Sequence, residues 1–480
     1  MNNSLLSGFE PKGFFHWFEE ISQIPRPSFH EEKITAFLIR FAEERNLYCK
    51  ADAVGNVLIK LPATPGYEEK PAILLQGHLD MVCVKDEGVA FDFSKEPIQM
   101  RIEGNLLRAC GTTLGADNGT GVATMLALAD DKTICHPSME LLFTVREEVG
   151  MQGIREFDME QLQARRMVNL DSGYSHVLCV SGAGCAKCAI DEKLDVIPGD
   201  GMSALELVIS GGLGGHSGLK IHLGRACAGN VAGELLHALA QAMPVYLQTI
   251  VTGTAIMNHA KVTFAVEAGR EQEAAEIILA AWEQIKKRYE TADSGVACKV
   301  TQVDSADAPI AADASRRIID LLYLFHTGAH KHDGTDTAIV VASGNIAGCA
   351  LREGELRYRY NIRSTDDTVR NLLVGRYGEI ARLLGFQIQL LDQYPGWPVR
   401  QTSEMQERFQ AAHRALFGEE ITIEHMHGGV EVGILMGAMP DMDAVGISAT
   451  ATNAHTTAED LHLDQVQPFW DLLLKVLRDW

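Results

Sequence analysis

The sequence predicts an α/β protein in which a mainly parallel mixed sheet flanked by helices is built from the two chain ends, and an inserted α+β domain with two related halves interrupts it. Three observations carry that prediction. Between Lys60 and Asp171, short apolar runs bounded by glycine or polar residues alternate with helical stretches, the pattern of buried strands in a parallel sheet. After Asp171 the texture changes, and a middle segment of about 210 residues is bracketed by Ser181-Gly182-Ala183-Gly184 and Tyr394-Pro395-Gly396-Trp397-Pro398, both punctuated like hinges. The α/β texture then returns near the C-terminus. Residues 1–182 and 396–480 are expected to form one domain and residues 183–395 the insertion, a division that suits a chain of 480 residues.

Taken in order, Phe14, Trp17, Phe18 and Ile21 mark an amphipathic opening stretch. Residues 72–75, 141–145 and 167–170 are short, apolar and bounded, as buried strands should be. Residues 119–129 have a helix composition opened by Asp117-Asn118-Gly119, where the acid or amide suits an N-cap. Inside the insertion, 261–267, 271–289 and 297–303 read as strand, helix and strand. So do 355–363, 367–384 and 386–391, which makes a weak internal repeat. Cys185-Ala186-Lys187-Cys188 has no second ligand pair at zinc-site spacing and reads as part of a strand. Near the end, 421–425 and 443–448 read as strands, 428–433 as a glycine-rich turn into a helix, 453–460 as a loop and 463–477 as the closing helix.

Composition narrows the possible partners. A net charge of −22, from 64 acidic against 42 basic residues, opposes nucleic acid and anionic membranes as partners. The first residues lack a basic segment ahead of an apolar core, and no run reaches the roughly eighteen apolar residues of a membrane span. Ten cysteines follow no framework spacing, as expected of free thiols in a reducing compartment. The expected location is the cytoplasm.

The chemistry collects at the ends of the apolar runs. Gly77-His78-Leu79-Asp80 closes the first, and Asp117, Glu147-Glu148 and Asp171 follow; His455 lies in a loop after a late strand. In an α/β sheet, ligands gather beyond the carboxyl ends of the strands. Imidazole with several carboxylates and no thiol is a set that holds one or two divalent ions such as zinc, cobalt or manganese. The candidate ligands are His78, Asp117, Glu148, Asp171 and His455, with Asp117 placed to bridge. Neighbouring side chains diverge, so with Glu148 on a metal Glu147 is free to carry a proton. Asp80 is the candidate to fix the tautomer of His78.

Gly77-His78-Leu79-Asp80-Met81-Val82, Gly115-Ala116-Asp117-Asn118-Gly119, Glu147-Glu148-Val149-Gly150, Asn169-Leu170-Asp171 and the late His455 together resemble the di-zinc peptidase family that includes aminoacylase, the carnosinases and bacterial dipeptidases. Order and spacing fit over nearly the whole chain. The resemblance implies a metal-dependent dipeptidase acting on short peptides such as aminoacyl-histidine, carnosine-like dipeptides, with two divalent ions, zinc first and cobalt or manganese as substitutes. It implies that His78 and Asp171 hold one ion, Glu148 and His455 the other, that Asp117 bridges them, that Glu147 is the general base and that Asp80 orients His78. The chain-end domain becomes the catalytic di-metal domain and the insertion its lid.

In that lid, Gly214-Gly215-His216-Ser217-Gly218 resembles the family's lid histidine motif, which helps stabilise the oxyanion. Asn258 and Arg363 resemble its polar anchors for the peptide and its terminal carboxylate, and Gly429 its glycine-rich substrate loop. The insertion is about twice the family's short lid, so a homodimer is allowed without being required. An N-acyl-amino-acid amidohydrolase of the same fold, or a non-catalytic metal- or peptide-binding descendant, are the alternatives.

Overall fold

The computed structural model describes residues 5–304 and 307–480. The chain divides into two compact units. The first comprises Met1–Ser181, Val399–His425 and Val430–Trp480, and the second Gly182–Pro398 with Met426–Gly429. Gly429, placed by sequence in the chain-end domain, thus groups with the insertion.

The first unit is organised by an eight-stranded mixed sheet, in the order Tyr48–Ala51, Val57–Leu61, Met139–Thr144, Ile73–His78, Arg166–Asn169, Asp443–Gly446, Val177–Gly182, Thr422–Met426. Its centre is parallel: Ile73–His78 runs alongside both Met139–Thr144 and Arg166–Asn169, and Asp443–Gly446 alongside Arg166–Asn169. Antiparallel pairings take over outside this centre. Every residue of Ile73–His78 and Met139–Thr144 is buried, which is why these runs are continuously apolar rather than alternating. The strand expected at 72–75 continues through Gly77 and His78, because their backbones pair in register with Phe143 and Thr144. Gln76 is opposite Asn169 in the same sheet, so the chain segments leaving all three strands start from one edge.

Helix Lys12–Ser22 buries Phe14, Phe15, Phe18 and Ile21 and packs against helix Ala116–Asp130. The closing helix Leu463–Arg478 contributes Val466, Phe469, Leu472, Leu473 and Leu477 to the same core. A small four-stranded sheet, Ala451–Thr452, Asp460–His462, Leu106–Ala109 and Met100–Glu103, had no signal in the sequence. It clamps both sides of the 453–459 loop.

The second unit holds a nine-stranded sheet whose pairings are all antiparallel. Met202–Ser210, helix Ala228–Ala242, Tyr246–Thr252, Ala260–Glu267, helix Glu271–Ile285 and Ala297–Val303 form one βαββαβ half with spatial strand order 4-1-3-2. Gly184–Lys193, helix Ala312–Leu324, Val340–Arg352, Glu355–Ser364, helix Asp367–Leu383 and Gln389–Tyr394 form the other, with the same order mirrored. The halves join edge to edge, Ile250 opposite Leu351 and Val251 opposite Ala350. The strand–helix–strand pairs read from the sequence are the last portions of these halves. Two boundaries differ. The helix expected over 271–289 gives way to a 3-10 turn at Lys286–Tyr289, and the strand expected at 386–391 is Gln389–Tyr394, which pairs with Gly184–Lys193 across a register shift. Cys185 and Cys188 are buried, unpaired strand residues.

The parallel centre should dominate the first unit's stability. Leu75→Ala, at a position with no exposure, is expected to cost about 2–5 kcal/mol, read as an earlier first transition in chemical denaturation monitored by circular dichroism.

Candidate metal centre and its surroundings

His78 ends its strand and aims its imidazole at two carboxylates: Nε2 lies 3.1 Å from Asp117 Oδ1 and 3.2 Å from Asp171 Oδ1. The other oxygen of Asp117 faces a second imidazole, His455 Nε2, at 3.2 Å, and that same nitrogen lies 3.1 Å from Glu148 Oε1. Asp117 therefore stands between two three-residue groups, His78–Asp117–Asp171 and Asp117–Glu148–His455, each offering ligand atoms within 4.8 Å of one another. Glu147 joins His78 and Glu148 in a third such group.

The expected N-cap role of Asp117 is not what the structure contains. The helix is assigned from Ala116, but Asp117 and Asn118 have non-helical backbone angles and no side chain caps it; the Asp117–Asn118 peptide is cis. The Asp117 carboxylate is turned to the imidazoles instead. Asn118 donates from Nδ2 to the Leu170 carbonyl at 2.8 Å and to Asp171 Oδ1 at 2.5 Å. A side chain at Gly121 would overlap Asn118 Oδ1, so glycine there makes room for that amide.

Asp80 is fully buried and divides its carboxylate. Its Oδ1 accepts the Glu147 amide at 3.0 Å, its Oδ2 accepts the Glu148 amide at 3.3 Å and the Ser28 hydroxyl at 2.7 Å. His78 Nδ1 is 3.0 Å from the Asp80 backbone carbonyl and 3.5 Å from its carboxylate. One residue thus sets both the imidazole and the turn carrying the paired glutamates. That turn follows Arg146, whose φ is 56°, and His455 itself has φ 67°, the left-handed region that non-glycine residues occupy at a cost.

Several residues that sequence reading passed over fasten this arrangement. Buried Glu459 accepts the amides of Leu114 at 2.7 Å, Gly115 at 3.0 Å and Asp117 at 3.1 Å, tying the His455 loop to the Asp117 segment. Arg26 donates to the carbonyls of Leu79 at 2.7 Å and Gly115 at 2.6 Å. Behind the cluster, Glu431 accepts from Gln76 Nε2 at 2.5 Å and from the Thr144 hydroxyl at 2.6 Å, and its Oε1 has no partner among the described residues. None of these has a local motif; each acts on backbone groups or side chains distant in sequence.

The electrostatics define what the cluster lacks. Burial pushes Asp171 up to about 6, with Asp117 adding to the rise, and burial lifts Glu147 well above the carboxylate range. Hydrogen bonds to Asp117 and then Glu148 raise His455 to about 10. Burial opposes the charged form of His78, yet Asp171 and Asp117 outweigh it and raise its pKa. Carboxylates have been brought together in poorly hydrated surroundings, and they draw protons onto their imidazole neighbours for want of positive charge. Oxygen and imidazole donors, without sulfur, suit a divalent cation that supplies that charge.

In the second unit, Arg363 Nη1 is 3.5 Å from the Tyr394 hydroxyl, and the same tyrosine packs so closely on Gly429 that any side chain there would overlap its ring. His427 accepts or donates at Nε2 to the Ser343 hydroxyl at 2.7 Å. His216 lies beside Gly218, which also touches the His427 carbonyl, and Asn258 lies beside Gly214. Arg363, Tyr394 and Gly429 adjoin one another; Tyr394 and His427 were not expected from sequence.

The profile of Peptidase family M20/M25/M40 matches residues 74–479, and the chain belongs to that family. It is an enzyme of a divalent-metal peptidase fold. The cytosol non-specific dipeptidase of Escherichia coli is 31% identical over 481 residues, covering 99% of each chain. The crystal structure of aminoacylhistidine dipeptidase from Vibrio alginolyticus superposes with a TM-score of 0.90 at 32% identity, covering 99% of this chain and 98% of that one. Aminopeptidase PepT from Bacillus cereus shares the fold at 16% identity and a TM-score of 0.58. Among the described residues, no helix is long and apolar enough to cross a membrane.

Glu431 gives a test of the electrostatics. Burial raises its pKa from 4.5 to about 8, so between those values the folded chain holds a proton that the unfolded chain has released. Its contribution is complete below about pH 4.5 and is lost as pH rises through about 8. In chelator-treated protein, Glu431→Gln is expected to flatten this decline and to raise the thermal midpoint at pH 8 to 9. A variant no more stable than the parent at pH 8 would contradict it.

Proposed function

We propose that the chain is a cytoplasmic dipeptidase that holds two divalent ions, zinc by preference with cobalt or manganese able to replace it. Asp117 carries this reading: its two oxygens face two different imidazoles at 3.1 and 3.2 Å, as a bridging carboxylate between neighbouring ions should. His78 and Asp171 would hold one ion, and Glu148 and His455 the other. When bound, such a pair activates water at neutral pH and polarises the scissile carbonyl.

The remaining work falls to side chains. Glu147 is half-buried beside Glu148, Asp171 and Glu431, and its poorly hydrated setting raises its affinity for a proton; as the carboxylate it takes a proton from the attacking water and, once protonated, delivers it to the leaving amine. Asp80 holds the Glu147 and Glu148 amides and so fixes where that proton is collected. Arg363 anchors the terminal carboxylate, a task that favours a planar two-pronged donor and that restricts the enzyme to short peptides with a free C-terminus. His216 supports the oxyanion, while Asn258 and Gly429 seat the peptide backbone. The dipeptidase names of the two relatives at 31% and 32% identity support dipeptide substrates, and the name of the Vibrio alginolyticus relative supports aminoacyl-histidine dipeptides among them. The doubled insertion lets one chain carry a complete lid, so activity does not depend on a homodimer.

Glu147→Gln is expected to retain its metal while kcat falls about 10²- to 10⁴-fold, as followed by metal analysis beside hydrolysis of β-alanyl-histidine. Parallel loss of metal and activity would reassign Glu147 as a ligand. For Arg363, the comparison is β-alanyl-histidine against its C-terminal amide. The parent should prefer the acid, and Arg363→Met should erase the preference by raising KM for the acid about 10- to 100-fold. A preference that survives the substitution rules out the anchor.

A further inference from the structure

A second group of metal-ligating side chains stands in the first unit, made by residues the proposed reaction does not use. His176 is in the turn that leads from Asp171 into strand Val177–Gly182, His413 is four residues from the end of helix Glu404–Phe417, and Glu419 directly follows the left-handed Gly418 that ends that helix. His176 Nδ1 lies 2.9 Å from His413 Nε2, and one ligand atom from each of the three residues lies within 4.8 Å of the others.

The imidazole of buried His413 has its tautomer fixed. Its Nδ1 lies 2.9 Å from the Glu419 backbone carbonyl, which can only accept, so Nδ1 carries the proton and Nε2 presents a lone pair. A ring nitrogen held by a carbonyl, with the other unprotonated, is the usual setting of an imidazole ligand; here that nitrogen accepts the Nδ1–H of His176, and binding of a cation moves the His176 proton to its Nε2. His176 is held in place through its own carbonyl, which accepts the Thr422 amide at 3.1 Å. The Phe417 ring stands 5.0 Å from one imidazole and 4.8 Å from the other and shields the pair from water on that side, while Glu419 is exposed and leaves an entry path. Two nitrogens each about 2.0–2.1 Å from a tetrahedral zinc are about 3.3 Å apart, so the pair needs only a few tenths of an ångström of opening.

We propose that His176 Nδ1, His413 Nε2 and the Glu419 carboxylate form a divalent-cation site, selective for zinc by its two imidazoles and one carboxylate, distinct from the Asp117 cluster. Water completes the coordination. The site fastens the end of helix Glu404–Phe417 to the turn that follows Asp171, and its role is structural.

The test counts zinc retained by the full-length chain after stripping with chelator, reloading and desalting, in the parent, His176→Asn, Glu419→Gln and Asp117→Asn. His176→Asn and Glu419→Gln should each retain one zinc per chain fewer than the parent, with dipeptide turnover unchanged and the zinc-dependent rise in thermal midpoint reduced. Asp117→Asn should lose turnover yet keep the zinc that the other two variants lose, which separates this site from the proposed catalytic one. Glu419, being exposed, can be changed without disturbing the core. Equal zinc in the parent and Glu419→Gln would overturn the proposal and leave the imidazoles as a plain hydrogen-bonded pair.

Discussion

Repulsion among carboxylates at one edge of a buried sheet is the constraint on which the first unit is built. Asp80, Asp117, Glu147, Glu148 and Asp171 are held near two imidazoles; burial raises the pKa of Asp171, with Asp117 adding to the rise, and hydrogen bonds to Asp117 and Glu148 raise that of His455. Such a cluster persists only because the backbone around it is over-determined. Glu459 secures three amides of the 114–117 segment, Asp80 the two glutamate amides and Arg26 the carbonyls of Leu79, Asp80 and Gly115. Each of these holds a main-chain segment still, so that the clustered carboxylates cannot swing apart to relieve their charge.

That division explains what could be read from the sequence. His78, Glu148 and Asp171 were legible because they are polar residues just beyond apolar strands, a position where the residue type itself is the signal; Asp117, which opens a helix, and His455, in a loop, were legible only through the order of motifs in which they stand. The central strands were legible for the complementary reason, burial on both faces. Glu459, Asn118 and Glu431 were not, because a carboxylate or amide that serves distant backbone groups looks like any other polar residue until the fold brings its partners to it. The same applies to Tyr394, whose closeness to Gly429 and Arg363 depends on a strand whose register shifts. The N-cap role read for Asp117 is the one the structure overturns: its carboxylate turns to the imidazoles and leaves the helix end uncapped.

The second unit shows where periodicity runs out. Two strand–helix–strand stretches were visible, each the latter part of a βαββαβ half. The first strand of the outer half, Gly184–Lys193, is separated from the rest of that half by the whole of the inner one. A repeat whose members are consecutive can be found by comparing segments; one nested inside the other breaks that comparison, and only the pairing of Gly184–Lys193 with Glu355–Ser364 reveals it.

The place of Asp443–Gly446 within the sheet has a consequence for the order of events at birth. This late segment is an interior strand, flanked by Arg166–Asn169 and Val177–Gly182, and His455 follows it. Roughly 280 residues separate Asp171 from His455, about 15 to 55 s of ribosomal elongation. Throughout that interval Arg166–Asn169 and Val177–Gly182 remain without the strand that lies between them, and neither His455 nor Glu459 has reached the Asp117 segment that they later contact.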